Sequence, residues 1–316
     1  MLTEPGPGIE LIDCQYLGPR IAGAYLIKAA PDECAFVENN TQRAVPLLLD
    51  ALRRNGYHPE QVRYIIITHV HLDHAGGTAA LLEHCPNAAV IAHPKAARHV
   101  IDPQRLVESA MQVYGVDNFH KMYGQIEPVD ARRVQTMDDG AALPLGKGVL
   151  TFLHTRGHAD HHFCIHDSTA NAIFTGDSFG ICYPDLQTGA RPFLFPSTTP
   201  TQFHPEQARH SIRRILDSGA EQACLTHFGA LSGLSGMADE LLRGLDAMEA
   251  LLHRAAASGY SGDPLTAYCT DGVREWFDKE LAACQIQLTP DQRRLLELDI
   301  EINALGIAWA AAKMPR

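Results

Sequence analysis

Residues 64–74 read Tyr-Ile-Ile-Ile-Thr-His-Val-His-Leu-Asp-His, an apolar run that leads directly into three histidines and an aspartate. The β-branched run predicts a buried strand. Side chains two residues apart in an extended segment project to the same face, so His69 and His71 can chelate one metal together. Asp73 and His74 follow where the chain turns into a helix, and they can face a second metal. Three histidines and an aspartate within six residues are unusual for a solvated polar loop, so the stretch predicts a metal site.

Three later stretches each add one metal-binding side chain at the end of a predicted strand. These are residues 155–158 with His158, residues 175–178 with Asp177, and residues 225–229 with His227. Each lies beside a glycine or another small residue. A single histidine at a strand end is more often structural than a ligand. Together with the first motif, however, the three stretches strengthen the prediction of a metal site.

In this order the motifs resemble those of the metallo-β-lactamase superfamily, whose signature runs H-x-H-x-D-H, then G-H, then G-D, then a final histidine. The resemblance covers roughly residues 8–230. It implies an α+β fold, the αβ/βα four-layer sandwich, with the metal site at one edge of two packed sheets. It also implies a ligand for each of seven positions: His69, His71 and His158 for the first metal, Asp73, His74 and His227 for the second, and Asp177 for both.

The resemblance therefore implies a dinuclear metallo-hydrolase with two divalent metal ions, zinc foremost and iron or manganese as alternatives. Two metals can share a bridging water and lower its pKa toward neutrality, which supplies hydroxide at pH 7. We expect this metal-bridging hydroxide to attack the substrate. Asp73 is also a candidate catalytic residue, because a metal-bound carboxylate within reach of that water can receive its proton.

Asp177 narrows the choice of hydrolase. Secreted β-lactamases of this superfamily carry a cysteine at the matching place, and the N-terminal residues lack the basic and apolar regions of a signal peptide. Antibiotic hydrolysis is therefore disfavoured as the main role. The helical C-terminus resembles the glyoxalase II-like and lactonase-like group, which implies cleavage of a thioester, lactone or related small-molecule acyl substrate. The glutathione-binding residues of glyoxalase II have no match here.

Three other functions stay open at the level of the sequence. A mononuclear-iron sulfur dioxygenase-like redox enzyme would use only part of the ligand set, whereas Asp73, His74 and His227 are all present. A phosphodiesterase is the second alternative. The third is a non-catalytic regulatory metal-binding protein, because ligands alone do not guarantee a productive pocket.

The residues after Asp177 are candidates for the pocket lining. Aromatic side chains here suit an acyl substrate; they are Phe179, Tyr183, Phe193 and Phe195. Tyr183 is a candidate catalytic residue, because its hydroxyl could donate to a developing oxyanion. Alternatively, these aromatic residues only anchor a long loop over Pro184–Pro200. His162, close to His158, either supports the ligands or packs in the core.

Periodicity predicts mixed strands and helices, followed by helices alone. Strands are predicted at Gly8–Cys14, Ala22–Lys28, Cys34–Glu38, Tyr64–Ile67, Ala88–Ala92, Val149–His154, His162–Ile165, Ala172–Thr175 and Gln222–Thr226. Helices are predicted at Thr41–Arg54, Gly76–His84, Pro103–Tyr114, Pro205–Ser218, Ala238–Ala257, Pro264–Ala283 and Pro290–Lys313. Residues 116–130 read as a surface insertion. We therefore expect a catalytic domain over residues 1–235 and a helical extension over residues 236–316, which covers the cleft or forms a homodimer interface.

Composition excludes some partners. The 316 residues carry a formal charge of −11, which disfavours nucleic-acid binding, and no apolar stretch is long enough for a membrane span. The eight cysteines are scattered and form no C-x-x-C pair, so they read as reduced thiols rather than as a disulfide framework. The sequence therefore predicts a cytoplasmic protein.

Overall fold

The apolar run before His69 forms a strand in the computed structural model, which describes residues 2–189 and 191–314. The strand covers Val62–Ile66, and its side chains alternate between two buried surfaces. Tyr64 and Ile66 face the second sheet, whereas Ile65 packs toward the helices. Both faces of the strand are buried, which explains why it reads as a continuous apolar run.

The described residues contain thirteen strands. They are β1 (Leu2–Thr3), β2 (Ile9–Asp13), β3 (Gly23–Ala30), β4 (Glu33–Val37), β5 (Val62–Ile66), β6 (Ala89–Ala92), β7 (Val134–Thr136), β8 (Ala142–Leu145), β9 (Gly148–His154), β10 (Phe163–Asp167), β11 (Ala172–Gly176), β12 (Gln222–Leu225) and β13 (Gly229–Ser232). One sheet has the order β2-β3-β4-β5-β6-β7, and the other has the order β1-β13-β12-β11-β10-β9-β8.

Ten α-helices connect and cover these strands. They are α1 (Val45–Arg54), α2 (Leu72–Ala75), α3 (Thr78–His84), α4 (Pro94–Ile101), α5 (Gln104–Tyr114), α6 (Val116–Tyr123), α7 (Pro205–Asp217), α8 (Leu234–Ala257), α9 (Asp263–Cys284) and α10 (Pro290–Lys313). The pairs β4–β5, β5–β6, β6–β7 and β11–β12 are parallel, so each needs a crossover connection. These connections contain α1, then α2 and α3, then α4 to α6, and α7, respectively.

Three apolar clusters separate four layers. The middle cluster joins the inner faces of the two sheets, where Tyr25 of β3 meets Phe174 of β11 with ring centroids 5.2 Å apart. A second cluster packs α1, α3 and α4 on the outer face of the first sheet. A third packs α7 and the C-terminal helices on the outer face of the second sheet. The predicted four-layer α+β sandwich with C-terminal helices is confirmed.

Residues 116–130, which the sequence predicts to be a surface insertion, are mostly exposed. The first half forms α6, a helix that the sequence did not predict and whose Phe119 and Tyr123 are buried. They pack with Tyr16 and Leu72, next to the His69–His74 stretch. The sequence did not reveal the apolar face of α6, because this face has only two large buried residues among polar neighbours.

The C-terminal helices share one apolar cluster with the second sheet. Leu241 of α8 and Ile307 of α10 belong to the same cluster as Ile173 of β11. Gly306 lies so close to the preceding loop that an added Cβ would stand 1.8 Å from the Thr198 carbonyl oxygen. The cluster spans the predicted boundary between residues 235 and 236, which stays a prediction. No helix of the described ranges combines the length and apolar character needed to cross a membrane.

Candidate metal centre

The predicted ligands gather at one edge of the sandwich because their strands run the same way. β9, β11 and β12 share one direction in the second sheet, since β10 is antiparallel to β9 and β11, and β11 is parallel to β12. His158, Asp177 and His227 therefore follow strands that end at the same edge. His69 and His71 follow β5, and α2 carries Asp73 and His74.

Three histidines form the first group. His158 Nε2 lies 3.3 Å from His69 Nε2 and 3.1 Å from His71 Nδ1. Tetrahedral zinc with nitrogen ligands at about 2.0–2.1 Å holds those nitrogens about 3.3 Å from one another. The spacing of the three imidazoles therefore fits a single metal ion.

The second group combines carboxylates and histidines. His74 Nε2 lies 3.2 Å from Asp177 Oδ1 and 3.8 Å from Asp73 Oδ2. His227 Nε2 lies 3.4 Å from Asp73 Oδ2. The ligand atoms of Asp73, His74 and His227 all lie within 4.8 Å of one another. This donor set suits a second divalent ion.

Asp177 connects the two groups. Its Oδ2 lies 3.4 Å from His158 Nε2, whereas its Oδ1 faces His74 and lies 3.7 Å from His227 Nε2. Asp177 Oδ1 and His74 Nε2 are buried and have no hydrogen-bond partner among the described residues. Buried polar atoms in proteins are almost always paired, so two such atoms facing one point fit a bound cation. The residues present therefore fit a dinuclear metal site.

Hydrogen bonds on the far ring nitrogens orient these histidines. His74 Nδ1 lies 3.1 Å from Glu38 Oε1, and His227 Nδ1 lies 2.9 Å from the Ile21 carbonyl oxygen. His158 Nδ1 lies 3.3 Å from the Ser197 carbonyl oxygen. A proton held on Nδ1 leaves Nε2 free as a ligand, which is the usual arrangement around metal-binding histidines.

Sequence reasoning missed Glu38. This buried carboxylate follows β4, contacts the hydroxyl of Thr68, and lies 3.3 Å from Thr226 Oγ1. Glu38, His69 and His74 also place ligand atoms within 4.8 Å of one another. Glu38 approaches His74 from the Nδ1 side, so we assign it to orienting that ring. β4 is the parallel neighbour of β5, so Glu38 at the end of β4 lies at the same sheet edge as His69 at the end of β5. That position was the signal by which the sequence could have identified Glu38.

His162 lies beneath Asp177 rather than beside a metal position. Its Nε2 accepts a hydrogen bond from the Asp177 backbone N–H at 3.3 Å, and its Nδ1 lies 2.8 Å from Thr155 Oγ1. Both ring nitrogens are thus engaged by protein groups. The ring supports the backbone that carries Asp177.

The electrostatics match a cation site. Burial and the neighbouring imidazoles lower the pKa of His69 and His71 well below their usual range, which keeps both rings neutral and able to bind metal. Burial alone would raise the pKa of Asp177, but His74, His158 and His227 hold it well below the usual range. Burial would lower the pKa of His74, yet Asp177, Asp73 and Glu38 raise it well above the usual range. The carboxylates thus attract positive charge to this point.

A cavity of about 800 Å³ opens beside the two groups. His71, Asp73, Asp177 and His227 line it, together with apolar side chains of the C-terminal helix α10. The substrate side of the site therefore combines metal-binding groups with an apolar wall, as ligand pockets commonly do.

The aromatic lining predicted after Asp177 is wrong for three of its four residues. Phe179, Phe193 and Phe195 belong to the core, and Phe195 meets Phe277 of α9 at 4.9 Å between ring centroids. These three residues anchor the predicted loop over Pro184–Pro200 to the core. Residue 190 of this loop lies outside the described residues. Tyr183 does line the cavity, and its hydroxyl donates to Asp299 Oδ1 at 3.3 Å. Its oxyanion role stays a prediction.

The chain is similar to known proteins in both sequence and structure. A family model for the metallo-beta-lactamase superfamily matches residues 35–227. The metallo-beta-lactamase fold-containing protein ST1585 of Sulfurisphaera tokodaii is 26% identical over 177 residues, 55% of this chain and 63% of that protein. The thioesterase pkgB of Emericella nidulans is 28% identical over 121 residues, 38% of this chain and 25% of that protein. The match thus spans less than two thirds of either relative.

Two solved structures share the fold over nearly the whole chain. The archaeal protein ST1585 from Sulfolobus tokodaii superposes with a TM-score of 0.66 at 20% identity, covering 96% of this chain and 99% of that one. The family protein TTHA1429 from Thermus thermophilus gives a TM-score of 0.63 at 20% identity, covering 95% and 92%. Since the family model matches more than half of the sequence, the chain belongs to the metallo-β-lactamase superfamily.

Proposed function

We propose that this protein is a dinuclear metal-dependent hydrolase that cleaves a thioester, lactone or related small-molecule acyl substrate. The observation that carries the proposal is the position of Asp177, whose two oxygens face separate histidine groups at the wall of one cavity. Two bound divalent ions would lower the pKa of a shared water and polarise the substrate carbonyl. Zinc suits these nitrogen and oxygen ligands, with iron or manganese as alternatives.

The protein's own residues supply the orientation. Asp177 would hold the two metal positions together, and the His162 ring would fix its backbone. Asp73 lies at the cavity wall, where its carboxylate can receive a proton during turnover. Val70, Ile181 and Leu298 would exclude water from the acyl chain.

One observation supports an acyl substrate, and a second supports a cytoplasmic location. The name of the relative in Emericella nidulans describes a thioesterase, which is consistent with a thioester, although the match covers a quarter of that protein. All eight cysteines are free and buried, which is consistent with a reducing compartment.

The proposal is tested by a substrate screen with a matched pair of variants. Metal content is measured first, and thioesters, lactones and phosphodiesters are then assayed with wild type, His71→Ala and His253→Ala. We expect hydrolysis of a thioester or lactone, about 100-fold weaker in His71→Ala because a ligand is lost. His253 is exposed on α8, so His253→Ala should match wild type.

The same screen can contradict the proposal. Turnover no faster than in His71→Ala for every class would remove the hydrolase assignment. Oxygen consumption with a thiol substrate and one bound iron would favour the dioxygenase alternative, and hydrolysis of phosphodiesters alone would favour the phosphodiesterase.

A further inference from the structure

The C-terminal helix α10 brings a buried carboxyl group into the cavity. Asp299 is only 8% exposed and lines the cavity together with Tyr183 and the candidate ligands Asp177 and His227. Its Oδ1 accepts the hydrogen bond from the Tyr183 hydroxyl. Its Oδ2 is buried and has no hydrogen-bond partner among the described residues. One oxygen is thus used by the protein, and the other lacks a partner in a residue that lines the cavity.

The position of Asp299 is fixed by its own helix and by the loop before α7. Asn303, one turn further along α10, donates from Nδ2 to the Asp299 carbonyl oxygen at 2.8 Å. Asn303 Oδ1 accepts from the Thr198 backbone N–H at 2.7 Å. These bonds fix the backbone at Asp299, and the Tyr183 hydroxyl contacts its carboxyl group.

Within the part of the chain that the structure describes, no group forms a hydrogen bond with Asp299 Oδ2. Leu295, Leu298 and Ile302 surround Asp299 on the same helix and are also part of the cavity wall. In the described residues, Asp299 forms no ion pair and belongs to none of the groups whose ligand atoms could share a metal. A buried acceptor without a partner costs roughly 1–3 kcal/mol, which a substrate donor would recover on binding.

Burial also raises the pKa of Asp299 to about 7, against the opposing influence of His227 and the Tyr183 hydrogen bond. The raised pKa is consistent with the missing hydrogen bond at Oδ2, because a buried carboxylate needs hydrogen-bond donors and Asp299 has too few of them. A substrate donor at Oδ2 would provide one.

We infer that Asp299 and Tyr183 form a polar recognition subsite, at which Asp299 Oδ2 accepts a hydrogen bond from an N–H or O–H group of the substrate. The inference rests on the proposed hydrolase function and narrows its substrate class. The preferred substrate is an acyl compound that carries a hydrogen-bond donor, either a hydroxyl or an amine, on the part that lies against α10. Asp299 is a specificity-determining residue, and the helical extension is the element that provides it.

The test compares acyl substrates that differ only in one donor. A panel of thioesters of one chain length carries a hydroxyl, an amino or a methoxy group at successive positions of the acyl chain. It is assayed with wild type, Asp299→Leu, Asp299→Asn and the control Glu301→Leu, whose side chain is exposed on α10. The hydroxyl and amino arms distinguish a neutral donor from a cationic one.

We expect wild type and Glu301→Leu to prefer a donor-bearing substrate over its methoxy partner by about tenfold or more in kcat/KM. Asp299→Leu should bring the ratio of the two kcat/KM values close to one, and it is this ratio, not the absolute turnover, that tests the inference. Asp299→Asn preserves the shape if the leucine variant does not fold, and it should reduce the preference. A purely structural role would lower all turnover equally and leave the ratio unchanged.

Two results would overturn the inference: no donor preference in wild type, or a preference that persists in both Asp299 variants. If nothing is hydrolysed, the proposed function fails separately. The inference is then tested by calorimetry, which measures the affinity of wild type and the Asp299 variants for the hydroxy, amino and methoxy acids. Equal affinity of wild type for all three acids would contradict it.

Discussion

At the scale of single residues, the two oxygens of Asp177 face different histidines, Oδ2 toward His158 and Oδ1 toward His74. This arrangement is the main support for the proposal of two metal positions. Glu38 and His162 add the contacts that hold His74 and the Asp177 backbone in place. The chemistry of the site therefore depends on residues that lie outside the recognised motif.

Asp73 provides a prediction at this scale. Asp73→Asn should lower kcat by about 100-fold or more, because the amide cannot receive a proton. The assay is run at saturating metal, and elemental analysis verifies that the metal content stays full. The control is Asp239→Asn, an exposed position on α8. Unchanged kcat in fully loaded Asp73→Asn would remove its catalytic role.

At the scale of secondary-structure elements, the loop from Asp177 to α7 depends on α10. Ser197 contacts His158 through its carbonyl oxygen, and its neighbour Thr198 is bound to Asn303 of α10. The C-terminal helix therefore supports a candidate ligand as well as the cavity wall.

Gly306 tests this dependence. In Gly306→Ala the new Cβ would stand 1.8 Å from the Thr198 carbonyl oxygen, so the loop or the helix must shift. We expect a loss of roughly 1–3 kcal/mol in unfolding free energy, together with weaker metal binding. Gly236→Ala is the matched control, because no atom of the described residues beyond its chain neighbours and its own helix backbone lies within 4 Å of the added Cβ. Denaturant unfolding and metal titration of both variants check the prediction, which fails if the two behave alike.

The sequence predicted most of the elements and left out the contacts between them. The strand before His69 is a β-branched apolar run, and the region of the three C-terminal helices has few strand signals, so all four elements were predicted. Asp299 and Glu38 belong to no motif, and only the packing of α10 and β4 brings them to the site. The direction of Phe193 and Phe195 depends on Phe277 of α9, so the sequence alone left open whether they line the cavity or anchor the loop.

At the scale of the whole molecule, the site lies where the sandwich edge meets the helical extension. The ends of strands in the two sheets and the short helix α2 provide the candidate ligands, and α10 provides Asp299 and apolar residues of the cavity. The extension therefore has a role in the site of a single chain. A homodimer interface on the same helices stays a prediction, as does the boundary between residues 235 and 236.

The central claim is that one chain holds two metal ions through Asp177. Elemental analysis after metal saturation and removal of excess metal measures it directly. We predict two ions per chain in wild type and one in His227→Ala, which loses a ligand of the second group only. A wild type that retains a single ion, unchanged by His227→Ala, would contradict the account.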